Sequence, residues 1–119
     1  MMPRSSLSLL RDMDGYLASA LVDAGSGRLV AGDGSGIDLE VAAAGNTDVI
    51  RAKRRTADAL RIDDTIEDIL INLTHQYHLI RPLESNQRYF LYIVLDRARA
   101  NLAMARHELR NFEKSISFN

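Results

Sequence analysis

Cysteine and tryptophan are absent from the 119 residues, proline occurs twice, and aromatic residues make up only 6%. Without cysteine there is no disulfide scaffold, no thiolate-held zinc or iron–sulfur centre and no thiol nucleophile. No apolar run approaches the roughly 18 residues of a membrane-spanning helix. The stretch from Met1 to Leu10 has one arginine and leucines broken by serines, too short for a secretory segment. A cytoplasmic protein without membrane insertion is expected. An excess of one charge is missing too: 15 basic residues stand against 16 acidic ones, for a formal charge of −1. No global field therefore selects nucleic acid or an anionic membrane. What is present is a 46% hydrophobic, 26% charged chain, close to the globular average. Its length suits one domain, 1–119, burying about two-thirds of its unfolded surface.

Hydrophobic spacing predicts the elements. Arg4 to Met13 carries Leu7, Leu10 and Met13 at steps of three, which suits a short amphipathic helix ended by Asp14-Gly15. Tyr16–Val22 reads as a buried strand, Ala24–Gly27 as hairpin punctuation and Arg28–Ala31 as a second strand. A long helix is predicted over Ile37–Leu60, with Ser35 and Asp38 at capping-box spacing. At 100° per residue it carries two apolar stripes. One holds Ile37, Val41, Gly45, Val49, Ala52, Thr56, Ala59 and Leu60; the other holds Leu39, Ala43, Ile50 and Ala57. Glu40, Thr47, Arg51, Arg54 and Asp58 cluster on what remains. A helix on one sheet needs a stripe of about 100°, so the second stripe is surplus and points to a partner.

Thr65–Thr74 is a loosely alternating strand in which Ile69, Leu70 and Ile71 are apolar on both faces. Tyr77–Leu83 is a strand stopped by Pro82. Arg88–Leu95 is apolar on both faces and reads as a central strand covered on both sides. Asp96 is placed to cap a last helix, in which Ala98, Leu102, Ala105, Leu109, Phe112 and Ile116 recur at helical steps. The expected fold is α/β (α+β): a three-layer sandwich on an antiparallel sheet.

Chemical motifs are few. Gly32–Gly36 lacks the lysine and hydroxyl of a phosphate loop and misses the dinucleotide spacing, so it reads as a turn leading to a cap. His75 and His78 share a strand three residues apart, which sends them to opposite faces, and His107 lies elsewhere; no metal site and no cofactor are expected. Asp12, Asp14, Asp23 and Asp33 cluster at turns without a nucleophile–base pair, so no enzyme is expected. Asn72-Leu73-Thr74 matches a glycosylation acceptor but falls in a strand. Arginine outnumbers lysine thirteen to two. Without interleaved aromatics this suits solvated helix faces, or carboxylate pairing at a protein interface, rather than nucleic acid.

The order helix, two strands, long helix, three strands, helix resembles the Roadblock/LC7 (dynein light chain) family. Residues 12–31 (DMDGYLASALVDAGSGRLVA) look like its opening, residues 42–53 (AAAGNTDVIRAK) like the long helix of bacterial single-domain members, and residues 88–116 (RYFLYIVLDRARANLAMARHELRNFEKSI) like its closing strand and helix. The resemblance implies a five-stranded sheet in order 2-1-5-4-3, with the long helix on one face and two helices on the other. It implies neither catalytic residues nor cofactor, dimers formed through the third strand and long helix, and a role as regulator or scaffold of a Ras-like small GTPase. The alternatives are a GTPase-independent adaptor in a signalling or motor-type assembly and a small-ligand sensor. In that order the third strand is a sheet edge, an aggregation liability unless paired. Pairing it across a two-fold axis sets two long helices side by side. The expected homodimer interface is Leu39, Ala43, Ile50, Ala57, Ile66, Ile69, Leu70 and Ile71. The expected partner-binding strip is Glu40, Thr47, Arg51, Arg54 and Asp58.

Overall fold

A computed structural model describes residues 6–116. A 3-10 turn, Leu7–Leu10, leads into β1 (Tyr16–Asp23) and β2 (Arg28–Gly34). The long helix α1 (Leu39–Ala59) follows, then β3 (Ile69–Asn72), β4 (Gln76–Pro82), β5 (Tyr89–Asp96) and α2 (Leu102–Glu113). The fold is α+β, with five antiparallel strands in the order β2-β1-β5-β4-β3. β5 lies at the centre and is buried from Tyr89 to Leu95. Its Phe90, Tyr92 and Val94 pack with Ala18, Ala20, Val22 and Ile80 beneath Ala43 and Ile50 of α1. Its Leu91, Ile93 and Leu95 pack with Leu21 and Leu79 beneath Leu109 and Phe112 of α2.

The predicted first helix is a correction. Its opening, Arg4 and Ser5, lies outside the described residues. From Ser6 the backbone bonds run three residues back: Leu9 N–H to Ser6 O, Arg11 to Ser8, Met13 to Leu10 and Tyr16 to Met13. Leucines at steps of three match the three-residue period of a 3-10 turn. Leu7, Leu10 and Met13 are buried through it. The expected two-helix layer is therefore α2 with this short turn beside it.

The caps also move. Asp38, not Ser35, caps α1, its carboxylate accepting from Val41 N–H at 3.2 Å. Asn101, not Asp96, caps α2 through Met104 N–H at 3.1 Å. Asp96 instead closes the preceding turn, accepting from Ala98 N–H at 3.1 Å. Each cap sits immediately before its helix, where the orphan N–H groups are within reach.

The strand predicted over Thr65–Thr74 shrinks to Ile69–Asn72. With Ile69 opposite Ile80, the ladder continued backward would set Glu67 against Pro82, which has no N–H to donate.

α1 ends in a Schellman arrangement, with Arg61 N–H on Asp58 O and Ile62 N–H on Ala57 O, both at 3.0 Å. Arg61 occupies the left-handed position, φ 57, which glycine adopts without strain. Arg61→Gly is expected to raise stability by about 0.5–1 kcal/mol, the relief of strain exceeding the added chain entropy. Urea midpoints of the two proteins test this; an unchanged or lower midpoint would refute it.

Candidate protein–protein interface

The sheet has two edges, and they differ. β2 carries a bulge where its register with β1 shifts between Leu21 and Val22. It also carries Gly32, Gly34 and Asp33. Gly34 has φ 93, and a side chain there would collide with β1 backbone. The Asp33 carboxylate is held by Arg11 and by the Tyr16 hydroxyl at 2.6 Å. These bonds, Arg11 first, hold the Asp33 carboxyl below the usual carboxylate range, whereas burial pushes the Tyr16 phenol up. A bulge, glycines and an engaged inward charge blunt an edge. β3 has none of these. Its register with β4 is unbroken, and Ile69, Leu70 and Ile71 are only half-buried.

The two stripes of α1 exchange the roles the sequence suggests. Leu39, Ala43 and Ile50 face the chain's own sheet: Ala43 and Ile50 are fully buried, and Leu39 packs at the core margin together with Ile37 from the start of the other stripe, while Ala57 is half-buried at a cleft. Ile50 therefore cannot meet a second copy. The stripe left open is Val41, Gly45, Val49, Ala52, Thr56 and Leu60. Val41 is 67% exposed, Leu60 64% and Val49 37%. A Cβ added at Gly45 would meet nothing within 4 Å. Ile62, just past the helix end, is 48% exposed.

The charged strip lies on a flank. Arg51 donates to Ala24 O at 2.7 Å and Gly25 O at 2.9 Å, and Arg54 donates to Gln87 O at 3.0 Å. These guanidiniums fasten α1 to the β1–β2 turn and to the loop before β5. Thr47 is corrected from a surface residue to a core one: it is 1% exposed, its hydroxyl donating to Ala43 O at 2.7 Å. Glu40 and Asp58 are exposed on the same flank. Ile66 is half-buried at an open cleft of about 690 Å³ shared with Ala57, Pro82, Arg81 and Arg110. Its mixed charged lining differs from the apolar enclosure of a small-molecule site.

The histidines do not converge. His75 sits exposed in the β3–β4 turn. His78 lies in β4, with Nδ1 2.9 Å from the Tyr92 hydroxyl and Nε2 2.8 Å from Gln76 Oε1. Burial lowers the proton affinity of His78. His107 is on α2. Among the described residues no three His, Cys, Asp or Glu side chains form a metal-holding group. No described helix is long and apolar enough to cross a membrane.

The architecture has solved counterparts. A Roadblock/LC7 domain from Streptomyces avermitilis superposes with a TM-score of 0.78 at 14% identity, covering 91% of this chain and 88% of that one. The fold is that of the Roadblock/LC7 domain. Myxococcus xanthus MglB matches with a TM-score of 0.72 at 18% identity, over 91% of this chain and 86% of that one. An MglB described in a tetrameric arrangement matches at 0.67 and 15% identity, over 90% and 83%. At these identities the similarity is one of fold. No protein-family model and no curated protein matches the sequence. Within the Roadblock/LC7 fold, the open α1 stripe and the blunt-free β3 edge stand as the candidate interface. Sequence periodicity finds this stripe but assigns it to the core rather than to a partner. Its one signal is size, since Gly45 and Ala52 suit close approach of another helix better than they fill a core.

Proposed function

We propose that the protein is a non-enzymatic homodimer that regulates or scaffolds a Ras-like small GTPase. The observation that carries the self-association is an unprotected apolar edge, β3, on a chain that also leaves the apolar stripe of α1 open. Pairing β3 across a two-fold axis covers the edge and brings two α1 helices together. A total buried area of about 1,200–2,000 Å² is ordinary for such a dimer. Val41, Gly45, Val49, Ala52 and Thr56 then form the helix–helix seam, with Ile69, Leu70 and Ile71 at the sheet junction. The GTPase reading rests on the resemblance, since Roadblock-type dimers use their helical layer as a platform for GTPases. The flank carrying Glu40, Arg51, Arg54 and Asp58 is the proposed docking strip, duplicated by symmetry, and arginine is enriched at such contacts.

Glu40→Lys with Asp58→Lys reverses the strip's free charges while sparing the Arg51 and Arg54 bonds. The immobilised wild-type protein should retain a small GTPase more strongly in its GTP-analogue form than in its GDP form, and the double variant should lose that preference while remaining dimeric. A partner held equally in all nucleotide states would favour a GTPase-independent adaptor.

A further inference from the structure

We infer that charge on either side of β3 sets the register in which a second copy pairs with it. The inference rests on the self-pairing proposed above. Ahead of β3 lie Asp63, Asp64, Glu67 and Asp68. Asp68 is held by Arg106 at 2.9 Å, whereas Asp63, Asp64 and Glu67 are exposed and unpaired among the described residues. After β3 comes the turn Leu73–His75, backed by Arg97. The Arg97 guanidinium donates to Asn72 Oδ1 at 2.6 Å and Leu73 O at 3.0 Å, and lies 5.5 Å from the Tyr77 ring centroid. Its backbone N–H donates to His75 O at 3.0 Å. A permanent positive charge is thus fixed at this end of the strand while its side chain stays exposed. Arg61 on the acidic side and Asp96 on the basic side offset the asymmetry only in part.

In an antiparallel pair related by a two-fold within β3, residues before Ile69 run alongside the residues that follow Asn72 of the other copy. The arrangement occurs twice, once on each side of the axis. Each acidic segment therefore meets a basic turn. A parallel pair would set acid against acid and would not close. Opposite charges across neighbouring strands stabilise a pairing, and like charges oppose it.

Thr74 lies exposed in the turn and makes no hydrogen bond among the described residues, so its replacement reads charge without disturbing the fold. Thr74→Glu should raise the dimer Kd about tenfold at low salt, from about threefold at each of two junctions. Thr74→Lys should lower it, and Glu67→Lys added to Thr74→Glu should return it close to the wild-type value. Sedimentation equilibrium at about 20 mM and about 500 mM salt measures all four proteins, and the differences should shrink at the higher salt. If the wild type dimerises but neither Thr74 variant shifts its Kd, the charge register is wrong and the self-pairing stands. If the wild type stays monomeric up to about 100 μM, a Kd too weak for a specific assembly, the self-pairing fails and this inference with it.

Discussion

Ile50→Glu is expected to abolish the folded state, whereas Val49→Glu should keep the fold and separate the proposed dimer. The two residues are adjacent on α1 and about 100° apart around its axis, which turns Ile50 to the sheet and leaves Val49 at the margin of the open stripe. Ile50 is 0% exposed, within the cluster of Ala18, Ala20, Ile80, Phe90 and Tyr92. Replacing it forfeits about 1.5–3 kcal/mol of burial and places an unpaired carboxylate in a dry core, which costs several kcal/mol more. The sum is comparable with the roughly 5–15 kcal/mol that holds a domain of this size together. Val49 is 37% exposed, so glutamate there remains solvated in a single chain. In the proposed dimer it would enter the helix–helix seam twice. Circular dichroism melts and sedimentation of both variants decide the matter. A cooperative, wild-type melt for Ile50→Glu, or an undisturbed dimer for Val49→Glu, would overturn the division of α1 into a core face and a partner face.

The second large effect concerns the ion pair between β4 and α2. Arg81 Nη2 lies 2.8 Å from Glu113 Oε1, and both side chains are about 8% exposed. Glu113 Oε2 also accepts from Glu84 N–H at 3.2 Å, tying the loop after β4 to the helix end. Glu113→Ala leaves a guanidinium buried without its counter-charge, and should cost about 3–5 kcal/mol. Arg81 Nε has no hydrogen-bond partner among the described residues even in the intact pair, so the site is imperfectly satisfied there. Arg81→Met combined with Glu113→Leu should therefore recover most of the loss, because apolar replacement of both partners removes the desolvation cost. Urea unfolding of the single and double variants measures this coupling. Equal destabilisation by the single and double changes would show that the pair acts by shape alone.

Much of the architecture was legible in local pattern. The unbroken apolar run of β5 announced a strand covered on both faces, and burial from Tyr89 to Leu95 agrees. The steps of α2 identified Ala105, Leu109 and Phe112, all buried. These elements read clearly because their side-chain period is set by the backbone itself. Pro82 likewise ended β4 for a reason contained in its own ring. The identities of the capping residues were less legible, since several polar side chains lie near each helix start and only the path of the chain selects among them. Gly36, with φ 84, turns the chain between Ser35 and Asp38.

Sequence alone determined that α1 has two apolar stripes; only tertiary structure decided which of them meets the sheet. Periodicity gives the angle between residues on a helix but not the rotation of that helix over its neighbours. The rotation is settled by complementary bulk and by anchors distant in sequence. Ala18 and Ala20 keep the β1 surface low beneath α1. At Gly32 an added Cβ would stand 2.8 Å from Leu39 Cδ1, so that missing side chain lets the helix start approach β2. A low sheet surface accepts bulky Leu39 and Ile50, while Gly45 and Ala52 would leave voids there. Arg51 and Arg54 then hold the orientation through carbonyls of Ala24, Gly25 and Gln87. Val41, Val49 and Leu60 are left facing outward by this choice, because a rigid helix cannot bury opposite faces against one sheet.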